Sequence, residues 1–211
     1  ICVTAPDSPD YCAANVLDTC MSFMVTVTGP HGEIITPLPG VTTACDPQQI
    51  SILLTDADGV DPATVILAVD SVEYRVSDPE LTLDGDTLTF DGGSGFFAHG
   101  ATVFVELRAA DDIDGRPLMT PLSWSFTVDL LPPELDFARP GDHAVVGDLS
   151  PLMAFWAWDD LSGVDPASIE LTVDGVTYTI SDAALSRVGD SLFFNPDVIP
   201  LAWEGGDTID V

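Results

Sequence analysis

Two observations on the 211-residue chain predict an all-β fold of β-sandwiches in tandem. First, "DGVDPATVILAVDSVEYRVSD" at residues 58–78 returns as "SGVDPASIELTVDGVTYTISD" at 162–182. Second, the apolar runs are short, rich in Val, Ile, Thr and aromatics, and bounded by Gly, Asp and Pro clusters, with no sustained helical period. Residues 56–78 and 160–182 match without a gap at a spacing of 104, and 13 of 23 positions are identical, which marks a true internal repeat. The register continues, since "GDTLTF" (85–90) aligns with "GDSLFF" (189–194) and, after a slip, "ATVFV" (101–105) with "DTIDV" (207–211).

Taken in order, the elements divide the chain into three. Residues 1–30 read as the final two strands of a preceding repeat, or a donor segment: "SFMVTVTGP" (22–30) sits over "SFTVDLLPP" (125–133), and "ICVTA" (1–5) reads like "VFVEL" (103–107). Residues 31–131 hold a complete module with the strands "TVILAVD", "VEYRVSD", "DTLTFD", "TVFVELRA" and "LSWSFTVD". In the last of these, Trp124, Phe126 and Val128 alternate with Ser123, Ser125 and Thr127, one set inward and one outward. Residues 132–211 repeat the module without its last strands, and "VDGV" (173–176) is a two-residue hairpin turn. About seven strands per hundred residues, at regular turn spacing, predict an immunoglobulin-like layout with the last sandwich incomplete. A sandwich lacking those strands exposes edges. Three explanations fit the ends: a slice of a longer array, closure within the chain by circular permutation, or strand exchange between identical subunits.

The composition excludes several function classes. With 35 acidic residues, 28 of them Asp, against five Arg and no Lys, the formal charge is −30, so nucleic acid and anionic membrane surfaces are repelled. No apolar run is long enough to span a bilayer, and the chain shows no signal-peptide pattern. The four cysteines, Cys2, Cys12, Cys20 and Cys45, lie early, and none forms a C-x-x-C pair. Their even number predicts two disulfides of unassigned pairing and an extracellular or cell-surface location. His31, His99 and His143 are scattered through loops, and no nucleophile-elbow motif occurs, so no catalytic residue is expected and the chain reads as a non-enzyme.

Two constellations stand out. "DADGVD" places Asp56, Asp58 and Asp61 in the loop between the second and third strands of the complete module, and "DDID" places Asp111, Asp112 and Asp114 in the loop before its last strand. Those loops share one end of an immunoglobulin-type sandwich. Ca²⁺, which takes about six to eight oxygen ligands in flexible geometry, is the cation such carboxylates would bind, although no cofactor is required. The alternative is a pair of ordinary acidic turns. The second constellation is aromatic. Matching Ile50, Ile52 and Leu54 to residues 154, 156 and 158 turns Trp156 and Trp158 into the core and leaves Phe155 on the opposite face. Phe155 and Trp203 are therefore the candidates for contact with a neighbouring domain or chain, while Tyr74 and Tyr178 plug the two sandwiches.

The stretch "WSFTVDLLPPELDFARPGD" followed by "DDLSGVDPASIELTVDGVTYT" resembles the bacterial Ig-like (Big-type) tandem domains of secreted and cell-surface proteins. "AADDIDGRPL" (109–118) is similar to their turn before the last strand, with Arg116 where the family commonly shows Asn. The resemblance implies a non-catalytic structural or adhesive repeat, acting as spacer or stalk, with neighbouring Ig-like domains, identical subunits or a surface glycan or protein as partners. The alternatives are a carbohydrate-binding accessory of a secreted enzyme and a filament subunit assembling by strand donation.

Overall fold

The computed structural model describes residues 1–8, 11, 13–23, 28–199 and 203–211. The chain opens on a hairpin, β1 (Cys2–Pro6) against β2 (Val16–Cys20), antiparallel with Cys2 directly opposite Cys20. A disulfide joins that pair. At the other end of the hairpin Asp7 accepts hydrogen bonds from the Asn15 backbone N–H (2.7 Å) and side-chain amide (2.8 Å). The partner of the first strand is thus Val16–Cys20, upstream of the "SFMVTVTGP" segment, of which 24–27 lie outside the described residues. Of the two disulfides expected, Cys2–Cys20 forms, and Cys45 is exposed without a disulfide partner among the described residues; Cys12 lies outside them.

The next nine strands are β3 (His31–Thr36), β4 (Thr42–Thr43), β5 (Gln49–Thr55), β6 (Ile66–Val69), β7 (Val72–Arg75), β8 (Leu81–Asp84), β9 (Thr87–Asp91), β10 (Thr102–Ala109) and β11 (Leu122–Val128). They form two sheets, β3-β5-β9-β8 and β4-β11-β10-β6-β7, in which every pair is antiparallel except β4 with β11. This strand order is an immunoglobulin-like sandwich. Alternation along each strand builds its core: Ile50, Ile52 and Leu54 from β5, Leu88 and Phe90 from β9, Val103, Val105 and Leu107 from β10, and Trp124, Phe126 and Val128 from β11 are all buried. The one polar atom of Trp124 is satisfied, its Nε1–H donating to the Pro37 carbonyl at 3.0 Å. Tyr74 meets Phe90 edge-on at 4.7 Å, and Tyr178 meets Phe194 in a tilted arrangement at 4.9 Å in the second unit.

That second unit contains β12 (Glu134–Arg139), β13 (Met153–Trp158), β14 (Glu170–Val173), β15 (Val176–Thr179), β16 (Leu185–Val188) and β17 (Ser191–Phe194). The sheet β12-β13-β17-β16 reproduces β3-β5-β9-β8, and β14-β15 reproduces β6-β7. The turns between those short strands match as well: Asp70 and Ser71 both have positive φ (48° and 70°), as do Asp174 and Gly175 (48° and 79°), the left-handed pair a tight hairpin needs. Residues 207–211 run beside this turn as the start of β10 does in the first module. The Asp174 N–H donates to the Asp210 carbonyl (2.9 Å) and the Asp210 N–H to the Asp174 carboxylate (3.1 Å), repeating Asp70 with Phe104. An apolar groove of about 340 Å³ lies along β14, lined by Phe137, Phe155, Leu171, Leu185, Leu192 and Val211 among others.

One expectation is corrected by cross-strand register. Ile50 and Ile52 pair with Phe90 and Leu88, whereas Met153 and Phe155 pair with Phe194 and Leu192. Met153, Phe155 and Ala157 therefore stand where Ile50, Ile52 and Leu54 stand, one residue out of step with the ungapped repeat. The cause is one extra residue in the following loop, which runs from Ala157 to Asp165 where the first module runs from Leu54 to Asp61. In a strand a one-residue shift exchanges the faces. Phe155 is accordingly buried in the second core, and Trp156 points to solvent, 48% exposed.

Candidate functional site

The two acidic loops of the first module do meet. Val60 and Asp112 form a β-bridge, the Asp61 N–H donates to the Asp111 carbonyl (2.8 Å), and the Ile113 N–H donates to the Gly59 carbonyl (3.1 Å). Carboxylate oxygens of Asp56, Asp58 and Asp112 come within 4.8 Å of one another. The charge among them is met by Arg116, whose guanidinium lies 2.8 Å from Asp112, 3.1 Å from Asp58 and 2.9 Å from Asp114. Burial by itself would raise the Asp112 carboxyl, but the Arg116 N–H and guanidinium and the Asp114 N–H outweigh it and hold the group below its ordinary value. The Asp61 side chain is spent locally: it accepts from the Ala63 N–H (3.0 Å) and caps the 3-10 turn Pro62–Thr64, as Asp165 caps Pro166–Ser168. The backbone N–H of Asp111 donates to Thr64 Oγ1 at 2.7 Å. Of the six candidate acids, then, Asp56, Asp58 and Asp112 gather, Asp114 joins through Arg116, and Asp61 and Asp111 meet through their backbones.

A second cluster lies where the first module passes into the second. Asp129 directly follows β11 and is 1% exposed. Its N–H donates to the Thr43 carbonyl (2.8 Å), Oδ1 accepts from the Leu131 N–H (3.2 Å), and Oδ2 accepts from the Ser162 N–H (3.0 Å) in the loop after β13. His99 stands beside it, Nδ1 3.3 Å from Asp129 and Nε2 3.6 Å from Asp160. Nδ1 also accepts the Leu130 N–H at 3.1 Å. The hydrogen bonds from Ser162 hold the Asp129 carboxyl below the usual carboxylate range against the opposing effect of burial, helped by the Leu131 N–H and His99. One carboxylate thus takes one backbone donor from its own module, Leu131, and one from the next, Ser162.

Sequence reasoning passes over this cluster, although its signal is present. Asp129 closes the "TVD" that precedes Pro132-Pro133, and the repeat changes from Asp58 to Ser162 at the position that donates to it. An Asp at 162 would set a second negative charge beside a buried one, which is costly.

The two aromatic contact candidates both pack inward. Phe155 is 4% exposed and meets Phe137 edge-on at 5.5 Å. Trp203 packs against the second core while its Nε1–H donates to Asp174 at 2.7 Å. Trp203 therefore lies partly buried beside the hairpin turn, and Phe155 reaches the surface only as lining of the apolar groove along β14. His31 lies exposed on β3, and His143 is a solvated loop residue 3.6 Å from Asp142.

Neither the protein-family models nor the curated proteins contain a match to this chain. Among solved structures, CopC from Methylosinus trichosporium OB3b is 20% identical over 47% of this chain and 94% of its own, with a TM-score of 0.35. A three-immunoglobulin-domain titin fragment, a glutamate-to-alanine variant, is 15% identical over 81% of this chain, with a TM-score of 0.43. The chain spans 56% of that fragment's length. Fibronectin(III)-like modules of Clostridium thermocellum CbhA are 16% identical over 77% of each chain, with a TM-score of 0.36. The assignment of an immunoglobulin-like fold stands on this chain's own strand order.

Proposed function

We propose that the chain is a non-catalytic, extracellular segment of Big-type Ig-like modules that acts as spacer or stalk of a microbial surface or secreted protein. The observation that carries the reading is the joint. A spacer transmits position only if successive modules hold a fixed angle, and Asp129 supplies a buried, anionic anchor from one module to the Ser162 backbone of the next. Pro132 and Pro133 stiffen the same linker by restricting the backbone and removing two amide donors. The Cys2–Cys20 disulfide favours an oxidising compartment. Calcium at the acidic loop end would compete with Arg116 for Asp58 and Asp112. Partners under this reading are further Ig-like domains in the same row.

The test is a distance measurement by pulsed electron resonance, with spin labels at Cys45 and at a cysteine introduced by Val188→Cys, in a Cys12→Ser background. A narrow distribution that broadens in Asp129→Asn supports a locked joint. A broad distribution in the parent chain, or no change on substitution, rejects it.

A further inference from the structure

The register shift places an aromatic surface on the outer face of the sheet β12-β13-β17-β16. Trp156 lies opposite Asp136 on one side and Ser191 on the other, Trp158 lies opposite Glu134, and Phe193 lies opposite Ala154. Residues opposite one another in a ladder share a face. Trp156 is 48% exposed. Trp158 is half-buried, and the two line a shallow hollow of about 340 Å³ with Asp190 and Ser191. Trp124 and Trp203 have acceptors for their indole N–H groups, whereas Trp156 and Trp158 have none among the described residues.

Folding does not require these side chains. In the same register the first module carries Leu53, Thr55 and Thr89 where the second carries Trp156, Trp158 and Phe193. The same architecture is therefore built with small or aliphatic residues at those places. Large aromatics held at a sheet surface, rimmed by polar groups, mark a binding face. The rim decides what fits. Glu134, Asp136 and Asp190 offer acceptors, and the cations on these strands are Arg139 and Arg187, the latter held by the Gly189 and Val164 carbonyls with its Nη2 3.8 Å from one Asp190 oxygen. An anionic ligand is repelled by this rim, and a second copy of a chain with formal charge −30 is repelled as well. A pyranose ring suits the surface: its C–H face stacks on an indole plane while its hydroxyls donate to carboxylates and to the Ser191 hydroxyl.

We propose that the outer face of the second module, centred on Trp156 and Trp158, binds a neutral hexopyranose polysaccharide. Trp156 is the principal stacking platform, Trp158 extends it along the strand, and Asp136, Asp190 and Ser191 receive the sugar hydroxyls. The proposal does not rest on the spacer reading.

The whole 211-residue chain is run by affinity electrophoresis in gels containing β-glucan, galactomannan or hydroxyethylcellulose, and in parallel in alginate as the anionic control. Retardation by at least one neutral glycan, absent in alginate, is the expected result. Trp156→Ala weakens that retardation about tenfold or more, the order expected for a central aromatic anchor. Trp156→Tyr keeps part of it, and Phe104→Ala, which removes an exposed aromatic of the first module, leaves it unchanged. No retardation in any neutral glycan overturns the proposal, as does retardation in alginate alone or binding indifferent to Trp156→Ala. Sedimentation velocity separates the remaining case: self-association that Trp156→Ala abolishes, without glycan binding, would assign the face to contact between copies.

Discussion

Substituting adjacent residues of β13 separates the two faces of the second module. Phe155 is 4% exposed and packs among Met153, Leu185, Leu192 and Phe194, whereas its neighbour Trp156 is 48% exposed. Phe155→Ala removes a buried ring and leaves a cavity, a change that costs about 3–5 kcal/mol. Trp156→Ala removes a larger side chain from a solvated face and costs within about 1 kcal/mol. In a unit this small, with a urea slope of about 1–1.5 kcal/mol per M, the first change lowers the midpoint by about 2–5 M and the second by less than about 1 M. The amide resonances of Leu192 and Phe194 report the second module separately from the first, so the urea series is followed there. A larger loss for Trp156→Ala than for Phe155→Ala would refute the shifted register and restore the ungapped repeat alignment.

Four further outcomes are expected. Arg116→Gln leaves Asp58, Asp112 and Asp114 without their shared cation, so the melting temperature of the first module falls and added calcium recovers more of it than it adds to the parent chain. Thermal scans with calcium and then chelator check this, and equal responses would count against cation binding at that end. Asp112 and Asp129 both have lowered carboxyl values in the folded chain. Their stabilising contribution is therefore present above the unfolded value of about 3.9 and is lost as pH falls through the folded values. Melting temperatures measured from pH 7 to 2 should show the contribution of this pair unchanged down to about pH 5 and a steep fall below about pH 4, shallower in Asp129→Asn. Gly29→Ala would drive a Cβ into the Pro117 carbonyl oxygen, and a loss of about 1–3 kcal/mol in urea unfolding is expected. Peptide mapping of the non-reduced chain should recover Cys2 linked to Cys20; Cys2 or Cys20 linked to any other cysteine would contradict the structure.

Much of the fold is legible in the residues because its determinants are local. Gly, Asp and Pro mark the turns, strand alternation marks the inward set Trp124, Phe126 and Val128, and the repeat marks the module. The meeting of the 56–61 and 111–114 loops is legible too, since strand order alone brings them together. What the residues conceal depends on single-residue register and on contacts distant in sequence. The extra residue before Asp165 leaves the strong motif "SGVDP" intact, and it turns Trp156 outward although its effect on the repeat match is almost invisible. Arg116 reads as one substitution in a turn, yet it is the counter-ion for three carboxylates. Asp129 reads as one Asp among 28, and only the fold shows that it is buried and faces Ser162, 33 residues further on.

The most direct test of the joint is the hydrogen exchange of one amide. The Ser162 N–H donates to Asp129 across the two modules at 3.0 Å. Amide exchange by NMR in the parent chain should show Ser162 protected, and Asp129→Ala should abolish that protection while leaving the Ile52 and Leu88 amides of the first sheet unchanged. Free exchange of Ser162 in the parent chain, or equal protection in both chains, would contradict a joint held by Asp129.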